Sequence, residues 1–203
     1  MKRSKGFMSQ EVFDRSIEVL KEIKQEMVGL NHYGESLLHH KLIPFCNQLM
    51  ENGIKPFLYT NGDVLTDNLI KQVATIDWHV FVISGHMDEV ERHVLYQKCL
   101  EVGVKNINIQ ETLTKENTLD LAGQLPHGGV FKDSLPIVDP QHHCKFLVDD
   151  NGVILWNGDV TVCCVDYDGL GIYGNIMDPN IISIEAPAFK LCDTCPGHPG
   201  NIV

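Results

Sequence analysis

The chain has 203 residues, 43% of them hydrophobic and 21% charged, which is enough for one full domain core, or a medium domain plus a small appendage, and excludes global disorder. Sixteen Lys and Arg stand against 27 Asp and Glu, a net charge of −11 that repels phosphate backbones and makes nucleic acid a poor partner. No apolar run reaches the ~20 residues that cross a bilayer, and the basic opening Met1–Lys5 is not followed by an apolar segment, so the chain reads as cytoplasmic, without membrane contact, its seven cysteines reduced or bound to metal.

In chain order, Ser9 to Gln25 predicts a helix: Ser9 suits the N-cap, Glu11 adds negative charge to the first turn, and Val12, Phe13, Ile17, Leu20 and Ile23 share a face. Met27 to Asn31 is a short strand. Leu37 to Asn52 is a second helix ended by Asn52-Gly53, and Ile54 to Tyr59 a second strand stopped by Thr60-Asn61-Gly62. Leu65 to Thr75 is a third helix, Trp78 to Ser84 an apolar, β-branched strand, Met87 to Val102 a fourth helix closed by Gly103, and Val104 to Gln110 a fourth strand.

This alternation with short connections implies an α/β fold, a parallel sheet with helices outside it, closed as a barrel or left open. Sites in such folds lie at the C-terminal ends of strands. Those ends read Asn31-His32-Tyr33-Gly34-Glu35, Tyr59-Thr60-Asn61-Gly62, Ser84-Gly85-His86 and Gln110-Glu111-Thr112, a polar rim suited to a ligand, although plain turns also favour Asn and Gly. A βα repeat normally opens on a strand, whereas this chain opens on a helix, so half of a first repeat is expected to be missing.

After Thr118 the regularity ends. Residues 123–143 are rich in Gly, Pro and His and read as a linker or long loop, followed by short strands at Phe146 to Val148, Val153 to Trp156 and Val160 to Cys163 with Asn-Gly turns between them. The expected division is a βα domain over 1–125, a linker over 126–143 and a small module over 144–203. A module of that size has little core and usually needs a metal or disulfides.

Five of the seven cysteines lie at or beyond position 144. Cys192-Asp193-Thr194-Cys195 is a CxxC that places two thiolates on one tight loop, and with Cys144 and Cys163 it makes an all-thiolate set of four. Zinc and a 4Fe-4S cluster both suit such a set, and spacing does not choose between them. A thioredoxin-type redox pair is the other reading of the CxxC. Adjacent cysteines rarely both ligate one ion, so Cys163 is taken as the ligand and Cys164 as a small core residue. Cys46 and Cys99 sit among apolar residues on helices and read as buried thiols, and His142 and His143 as surface loop residues.

Two stretches together resemble a known family. Gly6-Phe7-Met8-Ser9, Leu30-Asn31-His32-Tyr33-Gly34-Glu35-Ser36-Leu37-Leu38-His39 and Leu58-Tyr59-Thr60-Asn61-Gly62 are similar to segments of the radical S-adenosylmethionine (radical SAM) enzymes. Cys144, then Gly158-x4-Cys163, Gly174-Asn175-Ile176 and the closing CxxC are similar to the C-terminal SPASM or twitch extension of that family, in the shorter form that holds one auxiliary cluster.

The resemblance implies a partial (β/α) barrel that lacks its first strand, plus a β-hairpin-rich SPASM/twitch module. It implies that Gly34 and Glu35 meet the amino group of S-adenosylmethionine, that Thr60, Asn61 and Ser84 line that cofactor's pocket, and that Cys144, Cys163, Cys192 and Cys195 hold an auxiliary 4Fe-4S cluster. The family's radical chemistry also needs a CxxxCxxC loop, and these 203 residues contain none. The resemblance therefore implies an N-terminally truncated radical SAM enzyme acting on an unidentified peptide or small molecule, its missing segment lying upstream or on another chain. A cluster-binding electron-transfer or partner protein and a structural zinc protein are the alternatives.

Overall fold

The computed structural model describes residues 4–32, 34–84, 88–110, 152–163, 166 and 168–185. The chain divides into two compact units, one of Leu20–Leu113 and one of Met1–Val19 together with Thr114–Val203. The expected linker, the expected strand at Phe146 to Val148, and Cys144, Cys164, Cys192 and Cys195 lie outside the described residues.

In the first unit, strands β1 (Met27–Gly29), β2 (Lys55–Thr60), β3 (Val80–Ile83) and β4 (Ile107–Ile109) form a parallel sheet in the order β1-β2-β3-β4. The connections are helices α2 (Leu42–Glu51), α3 (Asp67–Val73) and α4 (Glu89–Val102). Parallel strands need such crossovers, and their buried faces demand near-continuous apolar runs. The core meets that demand: Leu58, Phe81 and Ile83 from the sheet pack with Ile70, Val73, Ile76 and Trp78, all fully buried. Burial of each such side chain stabilises the fold by about 1.5–3 kcal/mol.

Element ends differ from the sequence pattern for identifiable reasons. The second helix does not begin at Leu37, because Pro44 lacks the N–H an upstream turn would need; a separate 3₁₀ turn, Ser36–Leu38, precedes α2, and Pro44 falls in the first turn of the helix where it is tolerated. Helix α3 starts after Thr66, whose hydroxyl accepts from the Leu69 N–H at 3.3 Å, and α4 after Asp88, whose carboxylate accepts from the Val90 and Glu91 N–H groups. Trp78 precedes its strand and donates its indole N–H to the Val73 carbonyl at 2.8 Å. Strand β4 is shorter than expected because Asn106, at φ 51°, bends the chain before it.

The second unit contains helix α1 (Gln10–Glu22) as far as Val19 and an antiparallel sheet of β5 (Val153–Ile154), β6 (Asp159–Thr161) and β7 (Ile172–Asn175), in the order β5-β6-β7. Ser9 caps the helix, accepting from the Val12 N–H at 3.2 Å. Val12 and Val19 pack with Val160, Ile176 and Ile181, and the Arg15 guanidinium donates to the Ile176 carbonyl at 3.2 Å. Ile23, expected on the buried helix face, is half exposed, because α1 ends at Glu22 and the chain turns at Lys24, φ 58°. Strand β7 carries no alternation that announces it; it exists through pairing with β6. Among the described residues, no helix is long and apolar enough to cross a membrane.

Candidate functional site

The C-terminal ends of β1, β2, β3 and β4 open into one cavity of about 400 Å³, lined at those ends by Asn31, His32, Gly34 and Glu35, by Tyr59, Thr60 and Asn61, by Ser84, and by Gln110. The five residues expected to meet a cofactor, Gly34, Glu35, Thr60, Asn61 and Ser84, are thus brought together. Gly85, His86, Glu111 and Thr112 of the expected rim lie outside the described residues.

Glu35 is the hub. One carboxylate oxygen accepts from the Leu37 N–H at 3.0 Å and caps the 3₁₀ turn; the other accepts from the Thr60 hydroxyl at 2.9 Å and the Asn61 N–H at 3.2 Å. The side chain therefore joins the segment after β1 to the end of β2. A carboxylate offers about four lone-pair positions, and three are taken, so one more donor can be accepted. Gly34 precedes it at φ 144°; a Cβ there would meet nothing within 4 Å, so backbone conformation and not space selects glycine. The Ser36 hydroxyl donates to the Leu30 carbonyl and ties the same loop back to the strand.

Thr60 and Ser84 are committed to this hub more than to the open space. The Thr60 hydroxyl accepts from the Gly62 N–H at 3.0 Å while donating to Glu35, and the Thr60 carbonyl accepts from both the Ser84 N–H at 2.7 Å and the Ser84 hydroxyl at 2.9 Å. Both residues are buried. The Asn61 side chain exchanges hydrogen bonds with Asp63 at 2.9 and 3.1 Å. Asn31, His32, Tyr59 and Gln110, expected in the polar rim but given no cofactor role from the sequence, also line the cavity. The buried Asn31 Oδ1 has no hydrogen-bond partner among the described residues and is available to a ligand donor. Glu35 is the one carboxylate among the described lining residues, which include no Lys or Arg, so the cavity favours a cationic or neutral occupant.

Of the expected metal ligands, Cys163 alone is described. It lies half-buried just after β6, and Cys144, Cys192 and Cys195 are outside the described residues. Among the described residues no three His, Cys, Asp or Glu side chains gather as a metal site. The motif residues around Cys163 have clear local duties. Gly158 takes φ 88° in the turn between β5 and β6, and the Asn175 amide donates to Asp159 at 3.0 Å across the sheet. Cys46 and Cys99 are fully buried in the first unit, as their apolar neighbours predict, and burial pushes their thiols up to about 12 and about 11.

The fold is similar to that of known solved structures. The likeness is to two solved structures: the crystal structure of BtrN in complex with AdoMet and 2-DOIA, and that of SeMet BtrN in an OPEN conformation. The first matches with TM-score 0.69 and 21% identity over 92% of this chain and 72% of that one, the second with TM-score 0.60 and 19% identity over 97% and 78%. At these identities the likeness shows the fold. No family model and no curated protein matches the sequence.

Proposed function

We propose that this chain is an iron–sulfur protein of the radical SAM/SPASM type, with a partial (β/α) barrel that binds S-adenosylmethionine at the strand-end cavity and a small module that binds one auxiliary 4Fe-4S cluster through Cys144, Cys163, Cys192 and Cys195. The observation that carries the first half is the convergence of Gly34, Glu35, Thr60, Asn61 and Ser84 on one cavity, in a fold shared with a protein crystallised with AdoMet.

The residues fit that cofactor. A cavity of about 400 Å³ falls in the range of roughly 300–1,000 Å³ that takes small ligands. S-adenosylmethionine carries a sulfonium and an ammonium, and Glu35 supplies a negative charge with one lone-pair position free. Held by three donors, that carboxylate is oriented before the ligand arrives, so little side-chain freedom is lost on binding. Gly34 would add its carbonyl to the same ammonium. S-adenosylmethionine supplies radical chemistry when a second cluster, held by CxxxCxxC, reduces it, and no such motif occurs in these residues. The role read here for the chain's own groups is to bind and orient the cofactor, and S-adenosylmethionine cleavage by the purified chain alone is not expected.

For the cluster, the donor chemistry is consistent: four soft thiolates, one of them two residues past the end of β6. Anaerobic reconstitution followed by iron and zinc counting tests this half. About four irons per chain, lost together in Cys192→Ala and Cys195→Ala, support a single cluster. One zinc per chain without iron, after anaerobic purification, would sink it in favour of the structural zinc reading.

A further inference from the structure

The turn that carries Cys163 is built around a buried carboxylate. Asp166 is 1% exposed. Its Oδ2 accepts from the Thr161 hydroxyl at 2.8 Å and the Gly171 N–H at 2.9 Å, its Oδ1 accepts from the Leu170 N–H at 2.8 Å, and its own N–H donates to the Cys163 carbonyl at 3.2 Å. One residue thereby ties the end of β6, the Cys163 turn and the entry to β7. A buried carboxylate is costly unless its lone pairs are met, and here three donors meet it.

We infer that Asp166 is a positioning residue for Cys163, holding the turn in the shape that presents the thiol to the metal. The inference rests on the reading of Cys163 as a cluster ligand proposed above. Groups that orient metal ligands, without touching the metal, typically change metal affinity 10–100-fold when altered.

Thr161→Val removes one donor and leaves the carboxylate in place. Asp166→Asn keeps the size but turns one acceptor into a donor facing the N–H groups of Leu170 or Gly171. The test uses the full chain, reconstituted anaerobically as wild type, Asp166→Asn, Thr161→Val, Thr161→Ser and Cys163→Ser. Three quantities are read: iron release to a chelator, the visible circular dichroism of the bound cluster, and the alkylation rate of Cys163 in the metal-free chain by peptide mass mapping. Amide-exchange protection of β5–β7 serves as the folding control.

Asp166→Asn is expected to release iron about 10–100-fold faster, to alter the cluster's dichroism and to expose Cys163 to alkylation, while β5–β7 stay protected. Thr161→Val is expected to show the same changes more weakly, and Thr161→Ser to restore wild-type behaviour. Wild-type iron release and alkylation in Asp166→Asn, with Cys163→Ser depleted of iron, would overturn the inference alone. Loss of protection across β5–β7 in both Asp166→Asn and Thr161→Val would overturn it too, since that is a folding role. Full iron retention in Cys163→Ser would instead overturn the ligand reading on which it rests.

Discussion

The two units solve the same stability problem by different means. The unit of Leu20–Leu113 buries a continuous apolar sheet against helices and leaves its polar groups at the strand ends, where they face a cavity. The unit of Met1–Val19 with Thr114–Val203 has strands of two to four residues and a small described cluster of Val12, Val19, Val160, Ile176 and Ile181. It relies in addition on polar fastenings within its turns, through Asp166 and through Asn175 with Asp159. In the first unit packing holds the fold, and Glu35 keeps one lone-pair position for a ligand. In the second, the polar side chains are themselves structural, and a bound metal would add what the small core lacks.

The chain has two tryptophans, Trp78 in the first unit and Trp156 in the second, so the contrast can be broken one side at a time. The largest effect is expected from Trp78→Ala, which empties a fully buried site against Phe81 and should cost about 3–5 kcal/mol. In urea, the helical circular dichroism should be lost earlier while Trp156 emission keeps its own transition. A matching shift of both signals would refute separate modes of stabilisation.

Next, Thr60→Val removes the hydroxyl that bridges Gly62 and Glu35 and leaves a buried N–H unpaired, a cost of about 1–3 kcal/mol. S-adenosylmethionine affinity should fall by about tenfold, since 1.4 kcal/mol is a factor of ten. Unchanged affinity would mean that the hydroxyl does not orient Glu35. In the second unit, Gly158→Ala forces a side chain into φ 88° and should cost about 1–2 kcal/mol, read as an earlier Trp156 transition.

A further test is a pH dependence of the first unit. Buried Cys46 and Cys99 keep their protons to about 12 and about 11, while in the unfolded chain thiols release theirs near 9.0. Above that value the unfolded state binds fewer protons, so stability falls as pH rises from 9 toward 11. In a Trp156→Phe background the Trp78 urea midpoint should drop between about pH 8 and pH 10, and a rising midpoint would contradict the burial of these thiols.

Much of the first unit was legible in the sequence because its strands are apolar runs and its helices follow at short spacing; the strand ends followed from the alternation, and the choice of Gly34, Glu35, Thr60, Asn61 and Ser84 among them from the family resemblance. What was not legible was commitment. Nothing in the sequence says that the Ser84 hydroxyl is given to the Thr60 carbonyl, or that Asn31 keeps an open acceptor, because both depend on which strands lie side by side. Local bends also escaped notice: Asn106 and Lys24 adopt positive φ without being glycine. In the second unit the cysteines stood out, whereas Asp166 did not, since a carboxylate in a polar loop looks solvent-facing until Leu170 and Gly171 are seen to bond to it. Strand β7 and the packing of α1 with β6 are tertiary facts with little periodicity to announce them.

The central claim is that the strand-end cavity binds S-adenosylmethionine through Glu35, and calorimetric titration of S-adenosylmethionine into wild type and Glu35→Gln tests it most directly. The account predicts saturable binding at one site per chain, weakened about tenfold or more by a substitution that removes a charge-assisted bond worth about 1.5–3 kcal/mol. The absence of saturable binding to the wild-type chain, or equal affinity in Glu35→Gln, would contradict it.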